Sequence, residues 1–348
     1  MFEFSLRTNR GRLAIAAVAL VFAAAGLSGV ARTRLAPPPP PPIAEPPGGI
    51  TLPDRLVADA AAYDSYIRHA SSISPAFTDP GSVTQALRVA RAYRPDALVR
   101  GAIAYAAIAA LQDKAFVDSI RSAGTTTENR RLMVGYILIN PVYVYQFKDV
   151  DVAAGLARQA VGPAALNLLV AGKAVRKAAY EIQHQGWSKS EVIDLPGRLA
   201  ATEAAGRSEL DLDADDYARL KQSISTPTGV SQGADSMSQP YPNLVARALQ
   251  IAAVAALGEA RPEDYDRLAS AAVDDSATAC LAEAKLNFHQ CLAVAKPNYE
   301  DVFCTGQHAM MDTGVCLAKL AATDVPIEPA PPAPVTIAKR AGHKHRGA

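Results

Sequence analysis

Apolar residues recur every three to four positions between Leu52 and Ala322, and short polar or proline-containing breaks interrupt this pattern. Such spacing is typical of amphipathic helices, and the residue before a proline tends to leave helical geometry. The pattern therefore predicts an all-α fold, either a multi-helix bundle or an irregular helical array. The predicted helices are 53–72, 82–92, 95–111, 113–122, 126–138, 150–185, 193–206, 213–223, 242–258, 262–274, 277–295 and 299–321.

Two stretches, 101–111 and 162–175, are apolar on nearly all sides. Neither reaches the length needed to cross a membrane without a charge, so both are predicted to be central, buried helices. Gly162 and Pro163 are expected to kink or split the longest helix. Helix starts are predicted at Ser82, Thr125 and Ser188, because each is followed three residues later by Gln or Glu, as in a capping box.

Only the segment from Val142 to Phe147 alternates like a β-strand. A period of two would place Tyr143, Tyr145 and Phe147 on one face. Such an aromatic row can stack on a glycan or a peptide, or it can pack on a neighbouring helix. Packing of the aromatic row on a helix is the more common outcome, and the sequence leaves both interpretations open.

The N-terminus predicts export. Arg7, Arg10 and Arg12 precede an uncharged run of 18 residues from Leu13 to Val30. This arrangement predicts either a single-pass anchor in a bacterial inner membrane, with the bulk of the chain in the periplasm, or a signal segment cleaved near Ala31. The prolines that follow favour a semi-rigid polyproline II spacer, although such a tract is also a ligand for proline-recognition modules.

Composition divides the chain into seven segments, because the Ser-, Gly- and Pro-rich stretch after residue 223 interrupts the helical pattern. Both ends of the chain carry an excess of basic residues. The predicted segments are a basic n-region (1–12), a transmembrane or signal segment (13–30), a proline-rich spacer (31–51), a helical domain (52–223), a linker or long loop (224–242), a smaller helical domain (243–322) and a disordered, proline-rich, basic tail (323–348).

The four cysteines lie in two adjacent predicted helices joined near residue 298. In an antiparallel hairpin, Cys291 and Cys304 are symmetric about this turn, and so are Cys280 and Cys316. Cysteines 11 residues apart on one helix are about 16 Å apart, which is beyond disulfide reach. The spacing therefore predicts the bridges Cys291–Cys304 and Cys280–Cys316. The alternative is a zinc site formed by His289, Cys291, Cys304 and His308.

Charge and motifs leave the chemistry open. The chain carries 35 Lys and Arg against 34 Asp and Glu, which gives no electrostatic reason to expect a nucleic-acid partner. The common nucleotide-binding and zinc-protease motifs are missing from the sequence, and no cofactor is predicted. The most site-like cluster is Glu181 with His184 one helical turn later, which is also a common composition for the polar end of a helix.

These observations lead to three functional hypotheses. The first is a non-enzymatic scaffold or interaction module of the cell envelope, with other envelope proteins as partners and with the basic tail contacting anionic polymers or lipid headgroups. The second is an all-helical hydrolase that acts on peptidoglycan through an acid such as Glu181. The third is a carrier of small apolar ligands between the alanine-rich helices.

Overall fold

The computed structural model describes residues 49–207, 213–225 and 235–326. Within these ranges the fold is all-α, with thirteen α-helices and no β-strand. The helices are α1 (Asp54–Ser71), α2 (Pro80–Ala90), α3 (Pro95–Ala110), α4 (Lys114–Ala123), α5 (Thr127–Ile139), α6 (Val150–Ile182), α7 (Leu195–Arg207), α8 (Ala214–Ser225), α9 (Asn243–Ala256), α10 (Tyr265–Ala271), α11 (Asp275–Val294), α12 (Asn298–Cys304) and α13 (Thr313–Leu320).

The predicted all-α class is confirmed, and each predicted helix matches a helical element within a few residues. The predicted strand is wrong, because Pro141–Gln146 forms a 3₁₀ helix. Asn140 caps this helix by accepting a hydrogen bond from the Val142 amide at 3.0 Å, and Pro141 occupies the first helical position. The buried side chain of Val144 then fixes the short helix against the core.

The predicted helix starts are each displaced. In α2 the N-cap is Asp79, and Ser82 is the third residue of the capping box rather than its first. In α5 the cap is Thr126, whose hydroxyl accepts from the Asn129 amide at 3.2 Å. Ser188 starts no α-helix: it lies in a 3₁₀ turn (Trp187–Lys189), where its buried hydroxyl donates to the carbonyls of Ile182 and Gln185. Two acceptor residues lie near each helix start, so spacing alone does not select the cap.

Helix α3 is the centre of the fold, and its residues from Ala97 to Ala110 are buried with the exception of Arg100. It packs against α1, α6 and α9. Small alanine side chains allow this close contact with three neighbours. At the edge of the core, Arg100 pairs with Asp59 at 3.0 Å, and the Tyr265 hydroxyl donates to the same carboxylate at 2.9 Å.

Helix α6 runs without interruption through Pro163, so the expectation that this proline splits the helix is wrong. Packing against α3, α9 and the C-terminal helices holds the two halves together. The described end of the predicted linker also lies on α6, where the Met237 amide donates to the Asp151 carbonyl at 2.8 Å. The domain division at 224–242 remains a prediction, while the helices on its two sides share one core.

The C-terminal helices form the predicted disulfide-stapled hairpin. One arm is α11, and the other consists of α12, a π-helix (Thr305–Asp312) and α13 in direct succession. The structure joins Cys280 to Cys316 and Cys291 to Cys304, with Cα–Cα distances of 5.7 Å in both bridges. Both predicted pairings are therefore confirmed.

A seam of glycines brings the second arm of the hairpin into backbone contact with α6. A Cβ added to Gly306 would lie 2.8 Å from the Cα of Arg176 and 2.8 Å from the carbonyl oxygen of Gly172. A Cβ added to Gly314 would lie 2.8 Å from the carbonyl oxygen of Ala165. These neighbours are backbone atoms and cannot rotate away, so the seam requires residues without a side chain.

Several predicted segments lie outside the described residues: the n-region, the apolar run 13–30, most of the proline-rich spacer and most of the basic tail. The described chain starts at Gly49, and Ile50 and Leu52 pack against the core. None of the helices in the described ranges combines the length and the apolar character needed to cross a membrane.

Candidate functional site

An exposed apolar surface lies on α5. Leu132, Tyr136 and Ile139 follow one another at helical spacing and remain 56%, 59% and 85% exposed. The opposite side of the helix is buried through Met133 and Ile137. Contiguous apolar patches of this kind on a folded protein mark interaction sites more often than isolated exposed residues do.

The surface continues from α5 into a shallow groove at the junction with the 3₁₀ helix. We call this feature the aromatic groove. It has a volume of about 480 Å³. Two of its rings, Tyr136 and Tyr143, are stacked with centroids 5.6 Å apart and an interplanar angle of 21°. The groove is lined by Tyr136, Ile139, Asn140, Val142, Tyr143 and Gln146.

The 3₁₀ helix is held firmly from behind. Tyr145 packs edge-to-face on Tyr241 with ring centroids 4.7 Å apart, and the Tyr241 hydroxyl donates to Asp151. Burial and this bond to a carboxylate raise the pKa of Tyr241 well above its usual value, so the hydroxyl keeps its proton. On α9, the buried amide of Gln250 donates to the Ile137 carbonyl at 2.6 Å. The groove is therefore a preformed feature of the fold.

The predicted aromatic row is divided by this geometry. Tyr143 and Phe147 contact each other edge-to-face at 6.2 Å, whereas Tyr145 turns toward Tyr241. In a 3₁₀ helix, residues three apart share a face, so alternate residues do not. Tyr145 packs against the protein itself, which is the interpretation that the sequence favoured for the aromatic row. The Tyr143 ring reaches the groove.

A chain of hydrogen bonds, which we call the relay, connects α6 to the π-helix. Arg176 donates to Gln307 at 2.8 Å, Gln307 donates to Asp312 at 3.1 Å, and Asp312 lies 2.8 Å from Nδ1 of His308. If His308 donates from Nδ1, its Nε2 atom is an acceptor, which is the geometry of a general base.

A cavity of about 200 Å³ lies beside this relay, next to the Cys280–Cys316 bridge. Its walls include Glu283, Asn287 and Asp312, while His308 is not part of them. We interpret the relay as a set of bonds that holds the π-helix against α6.

The two cysteines of the predicted zinc alternative form a disulfide instead. Cys291 and Cys304 are joined to each other, so neither offers a thiolate to a metal. Across the described ranges, no group of three or more His, Cys, Asp or Glu side chains is arranged to hold a metal ion. His308 pairs with Asp312 instead, and His289 lies half-buried on α11.

Glu181 and His184 lie at the exposed end of α6. The Glu181 side chain is 62% exposed and pairs with Lys177 at 3.2 Å. His184 is exposed, and the nearby Trp187 donates its indole N–H to Gln185 at 2.6 Å. This placement resembles the polar end of a helix more than a cleft with a desolvated acid.

A buried ion pair attaches α7 to the hairpin. Arg198 contacts Asp301, and their side chains are only 8% and 2% exposed. Arg198 also donates to the carbonyls of Leu292 at 2.7 Å and Ala295 at 3.2 Å. Burial raises the pKa of Asp301 to about 6, against the opposing effect of Arg198.

We expect this carboxyl to make the protein more stable in mild acid. Its pKa of about 6 lies above the ordinary value of 3.8, so the folded state holds a proton that the unfolded chain has lost between these pH values. The contribution is complete below the ordinary value and is lost as the pH rises through the folded one, and it amounts to up to about 3 kcal/mol.

Urea unfolding at several pH values from 4 to 8 measures this effect. The Asp301→Asn variant removes the titrating group, and its free energy of unfolding should vary less with pH than that of the wild type. Equal pH dependence in both proteins would contradict the assignment to Asp301.

Sequence reasoning located helix α5 but missed the aromatic groove at its end. The available signal was the spacing of Leu132, Tyr136 and Ile139, followed by Asn140 and Pro141 as a helix-start pair.

A comparison of the chain with protein-family models, with curated proteins and with solved structures finds no match.

Proposed function

We propose that this protein is an exported, non-enzymatic interaction module that binds another protein through the aromatic groove and the adjoining face of α5. The observation that carries the proposal is the run of Leu132, Tyr136 and Ile139, each more than half exposed, leading into a preformed groove. Full burial of an exposed side chain of this kind contributes up to about 1.5–3 kcal/mol, so covering these three residues favours association.

Two disulfides support an extracytoplasmic location, since such bridges persist in oxidising compartments. The apolar run 13–30, which lies outside the described residues, would export the chain as an anchor or a signal segment. With an anchor, the module would face the periplasm and meet other envelope proteins. Contact of the basic tail with anionic polymers or lipids is a separate part of this proposal.

A charge placed at the centre of the apolar surface tests the proposal. The Ile139→Asp variant would introduce an unpaired charge into the interface, so we expect recovery of the partner to fall at least tenfold. The measurement is cross-linking in producing cells, followed by purification of the full-length protein and quantitative mass spectrometry.

Val170 provides the matched control, because it is also an exposed apolar residue, 63% exposed, but lies on α6. A defined protein that is recovered with the wild type and with Val170→Asp, and is lost with Ile139→Asp, supports the proposal. Equal recovery with all three proteins would refute it.

A further inference from the structure

The chemistry of the aromatic groove indicates what kind of segment fits it. Its two stacked tyrosine rings offer flat apolar surfaces, and Asn140 and Gln146 add amide groups at the same site. The Asn140 oxygen already accepts from the Val142 amide at 3.0 Å, so its NH₂ group is the part left for a ligand. The Gln146 amide donates one hydrogen to the Tyr143 carbonyl at 3.0 Å and keeps a second.

These donors can pair with the accessible carbonyl oxygens of a ligand. A docked α-helix uses its carbonyls in its own hydrogen bonds, whereas a polyproline II segment has no internal hydrogen bonds and presents its carbonyls to the surroundings. Aromatic-lined grooves with hydrogen-bond donors are the general solution for recognising such segments. The donor set therefore favours an extended ligand over a helical one.

The absence of charged residues in the groove also suits a proline-rich ligand. All six lining residues are uncharged, so a charged ligand side chain would find no partner among them. Proline rings are apolar, carry no charge and have no amide hydrogen to satisfy. An uncharged segment rich in proline thus leaves no unpaired polar group when it covers the rings.

The length of the site agrees with a short segment of this kind. The 3₁₀ helix on one side of the groove has six residues, and a rise of about 2.0 Å per residue makes this helix about 12 Å long. Polyproline II rises about 3.1 Å per residue, so about four residues would cover it. The groove is held in place by the packing of Val144 and Tyr145, and a proline-rich ligand is held in its conformation by its rings. Because both partners are preorganised, little conformational entropy is lost on binding.

We propose that the aromatic groove binds a proline-rich segment of another polypeptide in the polyproline II conformation. Its rings would stack on Tyr136 and Tyr143, and its carbonyl oxygens would accept hydrogen bonds from the side-chain amides of Asn140 and Gln146. This inference rests on the proposed function, since it names the chemistry of the partner at the same site.

Fluorescein-labelled octaproline, titrated with the purified full-length protein and followed by fluorescence anisotropy, tests the ligand directly. We expect saturable binding in the micromolar to millimolar range, and at least tenfold weaker binding for Tyr136→Ala. Tyr136→Phe, which keeps the ring, should bind within about threefold of the wild type, a difference of less than 1 kcal/mol. Since Tyr136 is 59% exposed, its substitution leaves the core intact.

Val170→Ala and a Gly-Ser octapeptide are the controls: the variant should bind octaproline like the wild type, and the flexible peptide should not bind. Octaproline that fails to saturate, or that binds Tyr136→Ala as tightly as the wild type, overturns the proline-rich ligand. So does a Gly-Ser peptide that binds equally well. If a partner is still lost with Ile139→Asp, the proposed function stands with another ligand, such as an amphipathic helix, and if it is not lost, both proposals fail.

Discussion

Removal of the Cys280–Cys316 bridge should lower the free energy of unfolding by about 4 kcal/mol. The bridge closes a loop between residues 36 apart, and the stabilisation gained by restricting the unfolded chain increases with loop length. We suggest the double variant Cys280→Ala with Cys316→Ala, because alanine leaves no free thiol and suits both helices. Urea unfolding of the full-length protein measures the change.

The second bridge is the natural comparison for this experiment. Cys291 and Cys304 are only 13 residues apart, so their replacement by alanine should lower the free energy of unfolding by about 3 kcal/mol. A smaller effect from the Cys280–Cys316 pair than from the Cys291–Cys304 pair would contradict the expectation from loop length. Under reducing conditions, the wild type and both variants should approach the same stability.

The second large effect is expected at Gly306. An alanine there would place its Cβ against the backbone of Arg176 and Gly172, so α6 and the second arm of the hairpin must separate. We expect the free energy of unfolding to fall by at least about 2 kcal/mol, although alanine ordinarily favours a helix over glycine. Thermal unfolding followed by circular dichroism measures the change.

Gly135 on α5 is the matched control. A Cβ added at this position would have nothing within 4 Å, so only the helix preference of alanine remains. Gly135→Ala should therefore raise the free energy of unfolding by about 0.5–1 kcal/mol. If Gly306→Ala and Gly135→Ala changed stability in the same direction, the tight glycine seam would not be the cause.

Helix positions and both disulfide pairings could be predicted because each depends on local spacing. Cys280 and Cys316 are symmetric about the same turn as the inner pair, and this symmetry holds without any knowledge of the rest of the fold. The π-helix could not be predicted in this way. It lies where the backbone of Gly306 contacts α6, and this contact joins residues more than 100 positions apart.

The aromatic groove was missed for a different physical reason. Helix α5 is apolar on two sides, so its pattern does not distinguish Ile137, which is fully buried, from Ile139, which is 85% exposed. The alternation from Val142 to Phe147 fits a strand, and only the preceding Asn140 and Pro141 indicate a helix start. Which side faces the core is decided by Gln250 and Tyr241 on distant parts of the chain.

The position of α3 affects how the protein matures during synthesis. This helix lies in the first third of the sequence, but one of its neighbours, α9, starts only at Asn243. A nascent chain therefore exposes much of α3 until most of its length has left the ribosome. On the proposed export of an unfolded chain, the contact between α3 and α9 would form only after residue 243 has crossed the membrane.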